Sequence, residues 1–368
     1  MVCATGTPGE DGLLIGAGFD RAGYAVEYFD FENRAETELD SVVRHSKFDI
    51  VFVTKGQGIH RRTYDSIKPH VGKLVLWYPD AYLPEDTGYG VEFLSEVLPA
   101  FDVVLACYRG LVGPLSKHNP DCHFAPSYFD NIFYAVDSIT TGEREYFASD
   151  CVFIGNNQKV YGHERLDVLR KVSRLCELKV WGTGWGVPVP HLLAHVAKLG
   201  SKASLPPTSI RTRLWTRFQI APPVIRWTKI SRSIMSSQLV GDAVSKAYMC
   251  SKIGLNAGTF HGLKHGEIDL GFSDRLFKCM GNSTPYLTPP IRNIEEWFDP
   301  GKDIAIYHTY RELTEWIRYL LENAEERILM ARNGYTKVMK HHTVDTRIRQ
   351  YLTLIEGGAC PFDCRHGS

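Results

Sequence analysis

A strand, a helix and a second strand are predicted in succession by one stretch of this sequence: Lys252-Ile-Gly-Leu-Asn256, then Gly271-Phe-Ser-Asp-Arg275-Leu-Phe-Lys278, then Thr284-Pro-Tyr-Leu287. The first and last runs are short and largely apolar, as strands buried on both faces are. The residues Gly271 to Ser273 precede the middle run and are suited to cap the helix. This order of elements is typical of a parallel α/β sheet.

The same alternation continues along most of the chain. Strands are predicted at Asp49–Thr54, Lys73–Trp77, Asp102–Cys107, Cys151–Gly155, Leu178–Gly182, Lys252–Ala257, Thr284–Thr288 and Ile304–His308. The clearest helix covers 310–322, where Thr309 and Glu312 are spaced as a capping box. A further helical stretch starts near Asn323 and runs, with interruptions, to about Ile355. The sequence therefore predicts an α/β protein with two parallel sheets.

The length indicates more than one domain. The chain has 368 residues, whereas single cores stop growing near about 250–300 residues. Residues 136–150 are polar and contain glycine between two strand runs, so we expect the domain junction there. The predicted divisions are an N-terminal domain at 1–140, a C-terminal domain at 150–342, and a final helix and tail at 343–368.

Composition excludes several classes of protein. Hydrophobic residues make up 44%, charged residues 23% and aromatic residues 12% of the chain, close to globular averages and unlike disordered or coiled-coil proteins. No apolar run reaches the roughly 18–20 residues of a membrane-spanning helix, and the first residues lack the layout of a signal peptide. The nine cysteines are an odd number and mostly isolated. We expect a cytoplasmic protein with reduced thiols, and no metal at Cys360 and Cys364.

The glycine-rich turns near the N-terminus do not match the standard phosphate motifs. The turn from Gly6 to Gly12 lacks the G-K-[ST] ending of a Walker A loop. Gly16, Gly18 and Gly23 miss the G-x-G-x-x-G spacing of a dinucleotide-binding turn. The predicted helix start after Gly271 is a better anion site, because a helix N-terminus attracts negative charge and Arg275 adds a cation with bidentate geometry. The alternative is an ordinary Ser273 cap beside a solvated arginine.

Several segments, in the right order, resemble the CgeB-type (spore-maturation-protein-like) glycosyltransferases of group 1. The resemblance covers roughly 150–355 well and the first half weakly. The segments that carry it are Trp77–Asp80, Asp150–Asn156, Arg165 with Leu169, Val180–Trp185, Gly271–Gly281, Tyr286–Thr288, Ile294–Phe298, Asp303–Tyr307, Glu312-Leu313, Asn323–Arg327, and His342-Thr343 with Arg347.

The resemblance implies a GT-B fold, in which two Rossmann-like domains face a cleft and a C-terminal helix crosses back to the first domain. The second domain would hold a nucleotide sugar, and helix N-termini and cations would stabilise the diphosphate leaving group without a metal ion. No cofactor is expected. The expected donor-binding residues are Gly155, Asn156, Arg165, Gly182, Asn256, Gly271, Ser273, Arg275 and Lys278.

One position departs from the family pattern. Many relatives have a glutamate at the position of Lys278, where it would accept hydrogen bonds from the ribose hydroxyls. Lysine only donates, so that contact is absent or made elsewhere. Either Glu267 or Asp269 takes it over, or the donor is not a standard uridine or guanosine sugar.

On the first-domain side, Asp80 follows the predicted strand that ends near Trp77, and the carboxyl end of a strand is where ligands bind in open α/β sheets. We predict that Asp80 contacts the acceptor hydroxyl or acts as a base; the alternative is a turn residue after Pro79. His60 and His261 also follow strands, and His60 is assigned to the acceptor side. A lone loop histidine that is merely solvated is the alternative.

The segment 197–240, here called the basic insert, holds eight basic residues and no acidic ones. Since the whole chain has 42 of each sign, the remainder carries 34 basic against 42 acidic residues. Trp215 and Trp227 lie among these cations, a mixture that fits an anionic membrane surface. The alternative is an ordered insert whose tryptophans close the domain, and nucleic acid is the less favoured partner of the two anionic ones.

The sequence as a whole predicts a glycosyltransferase, soluble or membrane-peripheral, that moves a sugar from a nucleotide donor to a hydroxyl of a glycan or lipid-linked glycan. Retention at the anomeric carbon is implied by the resemblance alone. Two alternatives stay open: a noncatalytic module that binds sugar nucleotides or glycans, favoured by Lys278, and a transferase acting on modified nucleic acid, favoured by the basic insert.

Overall fold

Two parallel sheets organise the chain, as the sequence predicts. The computed structural model describes residues 2–4, 10–31, 34–56, 59–80, 93–157, 164–185, 233–235, 238–257 and 271–362. The first sheet contains β1 (Val2–Ala4), β2 (Tyr28–Asp30), β3 (Phe48–Thr54), β4 (Val71–Tyr78), β5 (Val103–Ala106) and β6 (Cys122–Phe124). The second contains β7 (Ser149–Ile154), β8 (Leu178–Trp181), β9 (Ser251–Leu255), β10 (Tyr286–Thr288) and β11 (Ala305–Ile306).

The strand order in both sheets is that of an open α/β fold. It is β2-β1-β3-β4-β5-β6 in the first sheet and β11-β10-β9-β7-β8 in the second, with every neighbouring pair parallel. Because all strands of a sheet run the same way, their carboxyl ends lie along one edge, where open α/β sheets bind ligands.

Helices connect the strands. In chain order they are α1 (Glu10–Arg21), α2 (Glu36–His45), α3 (Arg61–Ile67), α4 (Arg109–Ser116), α5 (Thr141–Phe147), α6 (Glu164–Val172), α7 (Asp242–Met249), α8 (Asp274–Gly281), α9 (Tyr310–Glu322), α10 (Ala324–His341) and α11 (Val344–Ile355). None of these helices is both long and apolar enough to cross a membrane.

The predicted strands form where apolar residues are continuous. All four residues of β5 are buried, and so are the last five of β4. Three strands of three residues each, β1, β2 and β6, were not predicted, because they are too short to give an apolar run. The strand predicted from Thr284 begins at Tyr286, since Pro285 has no N–H to donate.

The predicted helix over 310–322 is confirmed, but its capping box is only half formed. Thr309 Oγ1 accepts a hydrogen bond from the Glu312 amide at 3.1 Å. Glu312 Oε2 accepts from the His308 amide at 2.7 Å, one residue before the N-cap that a capping box would use. The helical stretch expected to reach Ile355 is two helices, α10 and α11, which part at His342 and Thr343.

The final helix, α11, packs back onto the first sheet, which confirms the predicted crossing. The Phe129 amide donates to the His342 carbonyl at 2.9 Å, and the Val344 amide donates to the Phe129 carbonyl at 2.9 Å. Tyr351 donates to the Pro126 carbonyl at 2.7 Å. These bonds join residues that precede the second sheet in the chain to residues that follow it. The domain limits 1–140, 150–342 and 343–368 stay predictions.

The cysteines whose side chains are described are all free thiols. Cys364 lies outside the described residues, so the prediction that Cys360 and Cys364 bind no metal stays a prediction. Within the described ranges, no group of three or more His, Cys, Asp or Glu side chains is placed to hold a metal ion.

Candidate functional site

Two loops meet at the carboxyl ends of β7 and β8. The Gly155 amide donates to the Trp181 carbonyl at 2.9 Å, and Asn156 Oδ1 accepts from the Thr183 amide at 2.8 Å. Gly182 has a φ of 134°, and a side chain there would collide with the Gly155 carbonyl. Glycine is therefore required for this close approach, which explains two of the predicted donor-side positions.

Arg275, on the first turn of α8, reaches across to β7. Its Nε donates to the Ile154 carbonyl at 2.6 Å and its Nη1 donates to Asn256 Oδ1 at 3.1 Å. Its guanidinium carbon lies 4.7 Å from the centre of the Phe153 ring. A Cβ on Gly155 would stand 2.5 Å from Arg275 Nη2, so that glycine also leaves room for the guanidinium.

Arg165, near the start of α6, lies against the same ring, with its guanidinium carbon 5.4 Å from the centre of Phe153. Only 3% of the residue is exposed. Its Nη1 donates to the Asn156 carbonyl at 2.7 Å and its Nε donates to the Ala257 carbonyl at 3.2 Å. Arg165 thus fixes the loop after β7 to the end of β9.

Lys278 forms an ion pair with Asp274, one turn earlier on α8. The Nζ to Oδ2 distance is 2.9 Å, and the Lys278 side chain is 13% exposed against 49% for Asp274. Burial acts to raise the pKa of Asp274, but the charges of Lys278 and Arg275 outweigh it, so the pKa lies below its ordinary value. The carboxylate is therefore ionised and held on the helix face that carries Lys278.

These side chains share a pocket of about 240 Å³ at the carboxyl edge of the second sheet. It is lined by Ile154, Gly155, Asn156, Arg165, Gly182, Gln238, Leu239, Val244, Tyr248, Asp274, Arg275 and Lys278. Among these described residues, three side chains are cationic and one is anionic, which gives a formal charge of +2. A pocket of this charge favours a dianionic ligand.

Two further predicted residues stand beside the pocket. Ser273 occupies the N-cap position of α8 and its carbonyl accepts from the Leu276 amide at 3.0 Å, but its side chain makes no capping hydrogen bond. Gly271 pairs with Tyr108 in an isolated antiparallel bridge. Tyr108 follows β5, so the carboxyl edge of the first sheet touches the loop that leads into α8.

The two sheets are also joined by an ion pair. Arg109 Nη1 and Nη2 donate to the two carboxylate oxygens of Glu296 at 2.8 and 2.9 Å. Arg109 starts α4 on the first-sheet side, and Glu296 lies in a short 3₁₀ turn, Ile294–Glu296, after β10. A bidentate pair of this kind fixes orientation as well as distance.

Asp80 lies just beyond β4, on the edge that faces the second sheet. Burial raises the pKa of the Cys107 thiol, and the carboxylates of Asp11, Asp80 and Asp274 act in the same direction. Asp80 and Asp274 therefore both lie near Cys107, one from each sheet. Asp80 does not line the pocket of Arg275.

His60 is placed at the carboxyl edge of the first sheet but away from the pocket. Its Nδ1 is 2.6 Å from Glu36 Oε1, its amide donates to Glu36 Oε2 at 3.2 Å, and its side chain is 69% exposed. Thr63 also donates to Glu36. His60 is thus held by a neighbouring carboxylate rather than merely solvated.

Other predicted residues lie outside the described part of the chain. They are Trp215 and Trp227 of the basic insert, of which only 233–235 and 238–240 are described, and His261, Glu267 and Asp269 in the loop before Gly271.

A second pocket, of about 380 Å³, lies at the opposite edge of the first sheet. It is lined by Phe19, Gly23, Tyr24, Ala25, Val26, Lys47, Phe48, Asp49 and Ile50, around the amino ends of β2 and β3. Although it is larger, open α/β sheets bind ligands at the carboxyl ends of their strands. The smaller pocket, which contains Arg275, is therefore the better candidate for the ligand-binding site.

The structure thus brings together six predicted donor residues in one pocket: Gly155, Asn156, Arg165, Gly182, Arg275 and Lys278. Asn256 bonds to Arg275, and Gly271 and Ser273 approach the same helix start. Sequence reasoning assigned no role to Asp274 or Tyr248. The spacing of Asp274 four residues before Lys278 was a usable signal for an ion pair, whereas nothing marked Tyr248, on α7.

Comparison with known proteins agrees with an α/β fold of two parallel sheets and with the predicted glycosyltransferase family. A family model described as glycosyl transferase-like matches residues 165–353, just over half of the chain. No curated protein matches the sequence.

Solved structures with the same fold are distant in sequence. HepE from Anabaena, in complex with UDP and glucose, has 11% identity and a TM-score of 0.61, with 97% of this chain and 99% of that chain covered. Sucrose-phosphate synthase from Thermosynechococcus elongatus has 11% identity and a TM-score of 0.61, with 97% and 98% covered. A TarM variant from S. aureus, in complex with fondaparinux, alpha-GlcNAc-glycerol and UDP, has 10% identity and a TM-score of 0.55, with 87% and 58% covered. These neighbours show that the fold is GT-B.

Proposed function

The chain belongs to the glycosyl transferase-like family and is a glycosyltransferase, and from that premise we propose that it transfers a sugar from a nucleotide-sugar donor to a hydroxyl of a glycan or lipid-linked acceptor. The bond between the anomeric carbon and the diphosphate breaks, the acceptor oxygen bonds to that carbon and gives up its proton to a base, for which Asp80 is the candidate, and the nucleoside diphosphate leaves. We propose further that transfer is metal-independent and retaining, and that the chain is of the CgeB type.

The observation that carries this proposal is the charge of the pocket at the carboxyl ends of β7 and β8. A departing diphosphate concentrates negative charge on its oxygens, and preorganised cations stabilise it. Arg165, Arg275 and Lys278 supply three positive charges against one on Asp274. Arg275 is positioned by its bonds to β7 and to Asn256, so little reordering is needed when the diphosphate forms.

On the acceptor side, we propose that Asp80 accepts a hydrogen bond from the attacking hydroxyl. Its support is its place just beyond β4, at the carboxyl edge of the first sheet, where its charge acts on Cys107. His60 is a further candidate contact for the acceptor. Its Nδ1 is bonded to Glu36, so its Nε2 is the ring nitrogen that can bond to an acceptor hydroxyl.

We place the protein in the cytoplasm, in contact with an anionic membrane through the basic insert. The support is the composition of that segment, which has eight basic residues, no acidic ones, and the aromatic residues Trp215 and Trp227. Nucleic acid remains the less favoured partner for the same charges.

A noncatalytic module that binds sugar nucleotides is the second candidate function, and the pairing of Lys278 with Asp274 is the observation that favours it. A lysine in place of a hydrogen-bond acceptor changes what the pocket recognises but leaves its net charge positive. The two candidates differ in turnover: both bind a nucleoside diphosphate, and only the enzyme releases one from a nucleotide sugar.

Thermal-shift screening against nucleoside diphosphates and nucleotide sugars tests the proposal. A ligand present at 100 times its dissociation constant adds about 2.7 kcal/mol to the free energy of unfolding. We expect stabilisation by at least one nucleoside diphosphate, and more by it than by its nucleoside. If no member of the panel raises the midpoint of unfolding, the assignment of the pocket fails.

A further inference from the structure

Two tyrosine hydroxyls are buried near Arg275 and, among the described residues, have no hydrogen-bond partner. Tyr248 lies on α7 and Tyr286 on β10, and each residue is 1% exposed. Among the residues that the structure describes, neither hydroxyl makes a hydrogen bond. Buried polar groups in folded proteins almost always have partners, so each such hydroxyl requires an explanation.

The two tyrosines differ in their relation to the pocket. Tyr248 lines it together with Arg275 and Lys278, whereas Tyr286 is not among its lining residues. The charge of Arg275 acts to lower the pKa of both hydroxyls, so what separates the two residues is that only Tyr248 lines the pocket. The two residues therefore form a natural test case and control.

Both hydroxyls stay protonated at neutral pH. Burial raises the pKa of Tyr248 well above its ordinary value, and burial is also the main cause that raises the pKa of Tyr286 to about 12. A protonated phenol can donate one hydrogen bond. Phosphate oxygens accept hydrogen bonds and are drawn to the same cations, so they are well matched to a donor in this position.

We propose that the Tyr248 hydroxyl donates a hydrogen bond to a phosphate oxygen of the nucleoside diphosphate bound in this pocket. The proposal rests on the function proposed above and adds to it a neutral donor beside the cations. No described residue of the ligand-free protein bonds to this hydroxyl, and binding of the diphosphate supplies a partner.

This role predicts opposite effects on stability and on binding. The Tyr248→Phe variant removes an unsatisfied hydroxyl and keeps the ring, so the ligand-free protein should be at least as stable as the wild type. The same variant should bind a nucleoside diphosphate about 10- to 100-fold more weakly, because a hydrogen bond to a charged group is lost. Tyr286→Phe should leave that affinity unchanged.

The test is calorimetric titration of the wild type, Tyr248→Phe and Tyr286→Phe with the tightest-binding of UDP, GDP and ADP, and with its nucleoside. We expect Tyr248→Phe alone to weaken diphosphate binding, with nucleoside binding equal in all three proteins. Equal diphosphate affinity in the wild type and Tyr248→Phe would overturn the inference while the proposed function stands. Equal weakening by Tyr286→Phe would also overturn it, since the effect would then be one of packing.

Failure of the proposed function gives a different result. In that case the wild type binds none of the three diphosphates, and the inference about Tyr248 falls with it. If Tyr248→Phe lowers the midpoint of thermal unfolding instead of preserving it, the hydroxyl has a structural partner in the folded protein, and the inference is contradicted even if binding is weakened.

Discussion

Arg275 donates a hydrogen bond from Nε to the carbonyl of Ile154 at 2.6 Å, joining the first turn of α8 to the last residue of β7. The strand and the helix come from segments that are far apart in sequence. The guanidinium is therefore part of the fold and part of the pocket at once, which affects how variants at this position are interpreted.

Replacing Arg275 by Ala should weaken nucleoside diphosphate binding by about 1.5–3 kcal/mol, the value of a charge-assisted hydrogen bond. Calorimetry measures this loss. Because the side chain also bonds to Ile154 and lies over Phe153, we expect a loss of unfolding free energy of about 1 kcal/mol as well. Arg332→Ala, which removes an exposed cation from α10, is the control and should change neither quantity. Unchanged affinity in Arg275→Ala would refute the donor-site assignment.

The pattern of the sequence predicts the central strands, and six of the residues it singles out line one pocket, for a physical reason. Continuous apolar runs such as Val103–Ala106 are buried on both faces, and a strand end followed by Gly155 or Gly182 marks the ligand edge. Arg275 was predicted because a helix start and a cation occur together in the sequence.

Other features depend on contacts between distant segments and left no local signal. The bridge between Tyr108 and Gly271 and the ion pair between Arg109 and Glu296 join residues more than 150 positions apart. The short edge strands, such as Cys122–Phe124, are stabilised by pairing with a neighbour rather than by an apolar run. Tyr248 belongs to the site only because α7 packs beside α8.

Turnover should survive excess EDTA, since the proposed leaving-group stabilisation uses arginine and lysine side chains. The measurement is release of nucleoside diphosphate from the nucleotide sugar, with and without chelator. Activity that is lost on chelation and restored by Mn²⁺ or Mg²⁺ would show that a metal ion carries the diphosphate charge instead.

The basic insert should bind anionic membranes through Trp215 and Trp227. Vesicles containing anionic lipid should shift tryptophan emission to the blue, and neutral vesicles should not, because aromatic rings enter the headgroup region only when the cations are attracted. The chain has seven tryptophans, so a variant with both residues replaced by Ala is the necessary control and should show no shift. No difference in sedimentation between anionic and neutral vesicles at about 0.15 M salt would exclude a membrane partner.

Stability should fall below neutral pH because of His342. Burial lowers its pKa well below the ordinary value, and the charge of the neighbouring Arg347 adds to this. The unfolded chain, in which a histidine has a pKa of about 6.5, therefore binds a proton that the folded chain does not. The contribution of neutral His342 is complete above about pH 6.5 and is lost as the pH falls, by up to about 1.4 kcal/mol per pH unit.

Urea unfolding between pH 5 and pH 7.5 measures this dependence. His342→Gln should be less stable at neutral pH and should show a shallower slope, whereas His308→Gln, at an exposed position, should follow the wild type. A wild-type slope that is unchanged in His342→Gln would assign the acid sensitivity to other groups.

The central claim is that the pocket between β7, β8 and α8 binds the diphosphate of the donor, and a crystal structure with the nucleoside diphosphate that stabilises the protein most tests it directly. The account predicts phosphate density within hydrogen-bonding distance of Arg275 and beside Gly155. Density in the pocket at the amino ends of β2 and β3, or none near Arg275, would contradict it.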